Sequence, residues 1–155
     1  MKEQCKTVVR QATIADLDSL VPLFDAYRQF YRKPSDPVLA RRFLVERFQH
    51  NESIIFIATN SEGSAVGFTQ LFPSFSSVSA GRVFILNDLF VSVENRRQGV
   101  AASLLRAAKD FGQRIGVVRL TLSTEVTNSE AQALYESLGW LKQTDFHVYN
   151  QPLQP

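Results

Sequence analysis

Arg96-Arg-Gln-Gly99-Val-Ala101 is the segment of this 155-residue chain whose residue types and spacing point most directly to chemistry. A strand-like apolar run, Val83-Phe-Ile-Leu-Asn-Asp-Leu-Phe-Val91, leads into it, and an apolar helical pattern follows. A short basic loop with a glycine, set between strand and helix, points several backbone N–H groups at one spot before the helix N-terminus. That spot suits a phosphate-bearing ligand. Two common phosphate loops are excluded by spacing: neither Gly-x-x-x-x-Gly-Lys-Ser/Thr nor Gly-x-Gly-x-x-Gly occurs. Gly99 has no Cβ to keep a ligand off the backbone, and Ala101 is the next smallest residue where the helix begins. An ordinary strand-to-helix turn also satisfies the hexapeptide, because glycine and basic residues fill many turns.

Further segments narrow the choice. Asn128-Ser-Glu-Ala131-Gln-Ala-Leu134-Tyr135 runs on to Gly139-Trp140 and follows a second strand-like run, Val117-Val-Arg-Leu-Thr-Leu-Ser123. Val9-Arg10-Gln-Ala-Thr13-Ile-Ala-Asp16 precedes them all. Together and in this order they resemble the GCN5-related N-acetyltransferases, over nearly the whole chain. Arg96-x-x-Gly99-x-Ala101 is similar to that family's pyrophosphate loop, and the Asn128 segment to its Asn-x-x-Ala-x-x-Leu-Tyr pattern. The resemblance implies an α/β fold of the α+β kind. Its mixed, mostly antiparallel sheet has six to seven strands, splayed between the fourth and fifth, and about four flanking helices. It also implies acetyl-CoA as cosubstrate, no metal, and direct attack by a primary amine in a ternary complex.

Site residues follow from that resemblance. Backbone groups of the splayed strand near Leu89 to Val93, including Phe90, Val91 and Val93, would pair with the pantetheine arm. Val93 stands where most members carry proline. The N–H groups of Gln98, Gly99, Val100, Ala101 and Ala102 would meet the pyrophosphate, with Arg96 and Arg97 adding charge. Tyr135 would protonate the departing thiolate, although its spacing with Ala131, Leu134 and Leu138 also reads as an apolar helix stripe. Asn128 would hold pantetheine or cap its helix, and a Thr127–Glu130 capping box would leave it free for the ligand. Two acids are candidate bases for the amine, Asp88 and Glu125, and a water chain is the alternative to both. By simple alternation Asp88 shares a strand face with Phe84, Leu86 and Phe90, and a carboxylate there needs a partner or a function. Polyamine acetyltransferases carry Glu-Asp where this chain has Asn87-Asp88, so their basic Glu is matched by an amide. Tyr27, Tyr31, Asn87 and Asp88 would line the acceptor site with the Ser-rich segment after Pro73.

Leu71-Phe-Pro-Ser-Phe-Ser-Ser-Val-Ser79 and Arg82 to Leu89 are similar to yeast histone, polyamine or D-amino-acid acetyltransferases and their bacterial relatives. Aromatics mixed with hydroxyls suit a small amine or amino acid. A protein or peptide acetyltransferase and a non-catalytic CoA-binding module are the alternatives.

The elements that position these residues are legible from periodicity and punctuation. Lys6 to Arg10 reads as a strand and Thr13-Ile-Ala-Asp16 as a capping box. Leu17, Leu20, Val21, Phe24, Tyr27 and Tyr31 recur at helical spacing, with Pro22 predicting a kink or break. Lys33 to Pro37 is a loop, and Leu39, Phe43 and Phe48 mark a second helix ending near His50. Strands are expected at Ser53 to Ala58, Ala65 to Phe72 and Val83 to Val93, with Pro73 to Gly81 as a mobile loop. A helix from Val100 to Ile115, a strand from Val117 to Ser123 and a helix from Asn128 to Leu138 capped by Gly139 come next. A last strand spans Asp145 to Asn150, with a short one near Trp140.

Composition sets outer limits. Length predicts one domain over residues 1–155. With 45% hydrophobic and 21% charged residues the chain is globular. A net charge of +2 is too mild to argue for nucleic acid or an anionic membrane. No apolar run approaches a membrane span, and Met1 to Lys6 lacks the apolar core of a signal peptide. Cys5 is the one cysteine and the histidines are two, His50 and His147, so no disulfide or Cys/His metal cluster is expected and a cytoplasmic setting is. A homodimer is expected through the C-terminal segment carrying Phe146, Val148 and Tyr149.

Overall fold

The computed structural model describes residues 6–155, so Cys5 lies outside the described residues. Two compact units are present, one ending at Ser123 and one comprising Thr124–Pro155. The first holds a five-stranded sheet in sequence order: β1 (Val8–Gln11), β2 (Ile54–Thr59), β3 (Ala65–Ser76), β4 (Gly81–Val91) and β5 (Leu120–Thr121). Pairing is antiparallel except between β4 and β5, which run parallel. Three helices cover it: α1 (Leu17–Phe30), α2 (Pro37–Gln49) and α3 (Val100–Ile115). The second unit contains α4 (Ser129–Ser137).

Local chemistry fixes the helix starts. Thr13 N–H donates to Asp16 Oδ2 at 2.8 Å while Thr13 Oγ1 accepts from Ala15 N–H at 3.3 Å, the expected capping box. Asp36 caps α2 by accepting from Leu39 N–H at 2.9 Å, with Pro37 in the first turn, where its missing N–H costs nothing. α1 runs unbroken through Pro22. Leu20, Val21, Leu23 and Phe24 on either side are buried, and that packing offsets the one lost backbone bond.

The sheet separates two apolar layers. On one face Phe24 of α1 packs on Phe43 of α2 at 5.3 Å and on Phe68 of β3 at 6.2 Å between ring centroids. On the other, Phe111 of α3 meets Phe56 of β2 at 5.7 Å and Phe84 of β4 at 5.6 Å. The Phe111 pairs meet edge to face, whereas Phe24 and Phe43 stack nearly parallel, both arrangements that aromatic quadrupoles allow.

Several expectations are corrected. The sheet has five strands rather than six or seven. The expected strand at Asp145 to Asn150 is irregular chain, as is the short one near Trp140, and Phe146, Val148 and Tyr149 are 80, 85 and 90% exposed. Apolar alternation marks a strand only if a neighbour pairs its backbone groups, and none among the described residues does. The expected strand from Val117 to Ser123 shrinks to two residues. The loop expected from Pro73 to Gly81 shrinks to a turn at residues 77–80: β3 and β4 continue as a hairpin, pairing Pro73 with Phe84 and Ser76 with Gly81. Proline is tolerated there because β2 stops at the Ile54–Leu71 pair, leaving the outer edge of β3 without a partner from Phe72 onward.

One irregularity decides the site. Gln70 pairs with Asp88 but Leu71 pairs with Leu86, so Asn87 is the extra residue of a β-bulge. The bulge reverses the alternation of faces along β4. Phe84 lies on the α3 face with Phe111, whereas Phe90 lies on the α1 face, 6.4 Å from the Tyr27 ring. Asp88 therefore shares a face with Phe90 and not with Phe84 and Leu86, against the expectation from simple alternation.

Candidate active site

β4 and β5 pair only at Phe84–Leu120 and Ile85–Thr121, after which β4 continues six residues to Val91 without β5. The edge expected to meet a pantetheine arm is thus unpaired by β5 from Leu86 to Val91, with the carbonyls of Asn87 and Val91 held instead by the side chains of Tyr27 and Arg96. Ser92 N–H turns back to Val66 O at 2.9 Å, and Val93–Asn95 forms a single 3-10 turn. Arg97 and Gly99 then both adopt left-handed backbone, with φ of +63° and +81°. Left-handed residues that interrupt an otherwise extended or helical backbone, as here after extended Arg96 and before α3, turn N–H groups out of line toward the space ahead of the helix, as in an anion nest. The first α3 donor with a carbonyl partner is Ser103 N–H, on Gly99 O at 3.0 Å. The N–H groups of Val100, Ala101 and Ala102 therefore have no carbonyl partner among the described residues, as expected for a first helical turn. A Cβ placed on Gly99 would meet nothing within 4 Å, so open space faces the loop. These features fit a pyrophosphate. Val100 contributes only backbone, since its side chain is buried.

Arg96 is used differently from the expectation. Its Nε–H donates to Val91 O at 3.0 Å, and its guanidinium lies 5.6 Å from the Phe90 ring and 5.7 Å from that of Phe30. It braces the end of β4 against α1, and the Val91 carbonyl is already engaged. Gln98 Nε2 donates to Glu94 O at 3.2 Å, which tightens the turn before the helix.

Aromatic side chains of α1 meet β4 at the bulge. Tyr27 donates its hydroxyl to Asn87 O at 3.2 Å, and its ring stands edge-on to Phe68 at 5.9 Å and Tyr31 at 5.1 Å. Asp88 beneath is 2% exposed. Its Oδ2 accepts a short bond from Gln70 Nε2 and its Oδ1 accepts from Asn87 Nδ2 at 2.8 Å. Burial raises its pKa above the ordinary carboxylate value, opposed by the hydrogen bonds from Asn87 and Gln70 and by the nearby Tyr27 hydroxyl dipole. Ser53 Oγ–H donates to Gln70 Oε1 at 2.8 Å, and Thr69 Oγ1–H holds Asp88 O at 2.7 Å. Gln70, Ser53 and Thr69 were not singled out from sequence. The available signal was a polar Gln inside the apolar run Val66 to Phe72, the same argument that flagged Asp88.

The second unit holds the remaining candidates. Asn128 Oδ1 accepts from Ala131 N–H at 3.1 Å, so Asn128 is the cap of α4 and no Thr127–Glu130 box displaces it. Glu125 O accepts from Asn128 N–H at 3.0 Å and from Gln132 Nε2 at 3.3 Å. Tyr135 is half-buried, 6.2 Å from the Trp140 ring, while Gly139 in left-handed conformation ends the helix.

An edge of β4 that β5 leaves unpaired, a glycine nest and a helix start follow in direct succession, an arrangement that suits a phosphorylated acyl carrier. Residues 20–140 match the Acetyltransferase (GNAT) family, and the chain belongs to that family. It is 47% identical over 141 residues to the Bacillus subtilis (strain 168) protein named uncharacterized N-acetyltransferase YhfO, covering 91% of this chain and 94% of that one. A crystal structure of a probable acetyltransferase superposes with a TM-score of 0.90 at 44% identity, covering 96% of this chain and 99% of that one. The fold is also that of the aminoglycoside N-acetyltransferase AAC(6')-Iy in complex with CoA (TM-score 0.77, 22% identity, 97% and 98% covered). The protein is an enzyme of the acetyltransferase class.

Proposed function

We propose that the enzyme moves an acetyl group from acetyl-CoA to a primary amine of a small molecule, an amino acid or a polyamine-like compound, by direct attack in a ternary complex. The observation that carries this reading is the nest at Arg97 and Gly99 opening onto free space at the start of α3. Acetyl-CoA would supply the activated acyl group. The first-turn N–H groups would hold its pyrophosphate, and the open edge of β4 would align its arm. The aromatic and amide wall of Tyr27, Tyr31 and Asn87 supports a compact acceptor. Residues 71–79 and 82–89 resemble histone, polyamine and D-amino-acid acetyltransferases alike, so the preference for a small acceptor rests on this wall. Tyr135 is the proposed proton donor to the leaving thiolate, a role that rests on the family pattern at that position. The cytoplasm is the proposed location.

A screen of free amines and of lysine peptides with acetyl-CoA, reading released thiol, tests the reading. Turnover of free amines with no turnover of peptides is expected. Turnover confined to peptides would replace it with protein acetylation. A homodimer is proposed on the apolar residues Phe146, Val148 and Tyr149, and a monomer mass by light scattering would exclude it.

A further inference from the structure

We infer that Asp88 is a positioning residue which, with Gln70 and Ser53 behind it, locks the Asn87 side chain with its Oδ1 outward, so that Asn87 selects an acceptor bearing an N–H donor. This rests on the reading that the acceptor is an amine, and it adds how the site recognises one. The argument is one of donor and acceptor polarity. A serine hydroxyl carries a single proton, and Ser53 gives it to Gln70 Oε1 at 2.8 Å. The Gln70 amide is thereby fixed, with Nε2 as its only group for Asp88 Oδ2. An ionised carboxylate only accepts, so Asp88 Oδ1 draws in the Asn87 NH₂ at 2.8 Å. The other end of the Asn87 amide is then an oxygen, on an exposed residue, accepting nothing from the described residues. A free asparagine presents oxygen or NH₂ equally well by a half-turn of χ2. Here the buried chain of three groups removes that choice.

The bulge is what allows it. In regular pleating Asn87 and Asp88 would point to opposite faces. The extra residue brings both side chains to the α1 face, one exposed and one buried, and their mutual hydrogen bond records it. Tyr27 and Thr69 fix the backbone on either side by holding the carbonyls of Asn87 and Asp88. An outward amide oxygen attracts an N–H without adding negative charge, so it can hold the amine without stabilising the protonated, unreactive ammonium as a carboxylate would.

Side-chain amide NMR on the ¹⁵N-labelled protein reads this without turnover. In the wild type the Asn87 NH₂ should exchange with solvent far more slowly than that of exposed Asn150, and ethylammonium chloride should shift the Asn87 signals where sodium propionate does not. Asp88→Asn lets the Asn87 amide turn over, so protection should fall about tenfold, the net worth of one hydrogen bond, and propionate should begin to shift the signals. Ser53→Ala, a milder change at the far end, should weaken the protection in a protein that still folds. Fast exchange of Asn87 in the wild type, equal shifts from both probes, or an Asp88→Asn or Ser53→Ala protein indistinguishable from the wild type would overturn the inference. If the protection and probe preference hold while no free amine releases thiol, the proposed reaction fails and the polarity lock stands.

Discussion

A Cβ built on Gly67 would stand 2.8 Å from the carbonyl oxygen of Phe90, with Leu104 and Val100 of α3 at 3.3 and 3.4 Å. Gly67 thus sets how closely β3, β4 and the first turn of α3 approach, at the base of the loop that carries Gly99. Gly67→Ala should push backbone against backbone and cost about 1–3 kcal/mol, as overpacking does. Urea denaturation measures that loss, and a weaker acetyl-CoA affinity in the folded fraction should accompany it. Unchanged stability would mean that the strand pair yields freely.

Gly99→Val places a branched side chain in open space ahead of the nest and forces it into left-handed backbone. Strain of roughly 1–2 kcal/mol is expected, together with a marked loss of acetyl-CoA affinity by calorimetry. Gly63→Val is the control, since Gly63 has nearly the same φ, +82°, and equally open surroundings in the β2–β3 turn. It should show the strain without the affinity loss. Equal affinities in both variants would remove the loop from the binding site.

Tyr135→Phe keeps the ring contact with Trp140 and deletes one hydroxyl. General acids contribute about 10²–10⁴-fold, so kcat should fall by that order with acetyl-CoA affinity nearly unchanged. A kcat within about threefold of wild type, with chemistry rate-limiting, would make Tyr135 a packing residue.

Asp16 gives the acid limb of stability a defined sign. Its bidentate pair with Arg10, at 2.6 and 2.8 Å, holds its pKa below the ordinary carboxylate value, helped by Thr13 N–H. The folded state then binds fewer protons than the unfolded one in that range. Stability from this group is present above the unfolded value, near ~3.9, and is lost as pH falls through the lowered one. Asp16→Asn should flatten that part of the profile in thermal melts between pH 3 and 5. It should cost about 1 kcal/mol at neutral pH, mostly as a lost helix cap, since the ion pair is half in solvent.

Asp88 should act in the opposite direction. Its folded pKa is raised, so between the unfolded value and the raised one the folded state holds a proton that the unfolded state has released, and above the raised value the carboxylate is ionised in both. Stability from this group declines as pH rises from the unfolded value through the raised one, and is level beyond. Ser53→Ala leaves the carboxylate in place and should keep this decline. Its absence would mean that Asp88 is solvated.

Local signals in the chain determined the parts governed by nearest neighbours. The Thr13–Asp16 box, the Arg96-x-x-Gly99-x-Ala101 loop, the Asn128 and Gly139 ends of the last helix and the 3.6-residue stripes of α1 and α3 each follow from a few adjacent side chains. They needed no partner from elsewhere in the chain. Tertiary pairing decided the rest. A strand is completed by the backbone beside it, so the Ser-rich segment became a hairpin because β4 was there to meet it. Asp145 to Asn150, alternating as well as any strand, stayed irregular because no described strand paired with it. The bulge at Asn87 is invisible in the run Val83 to Val91, since one unpaired residue changes no composition. Yet it alone turns Asp88 from the α3 face to the α1 face. Gln70 and Ser53 lie 18 and 35 positions from Asp88 in the sequence, and only the β2–β3–β4 register brings the three polar groups into one buried line.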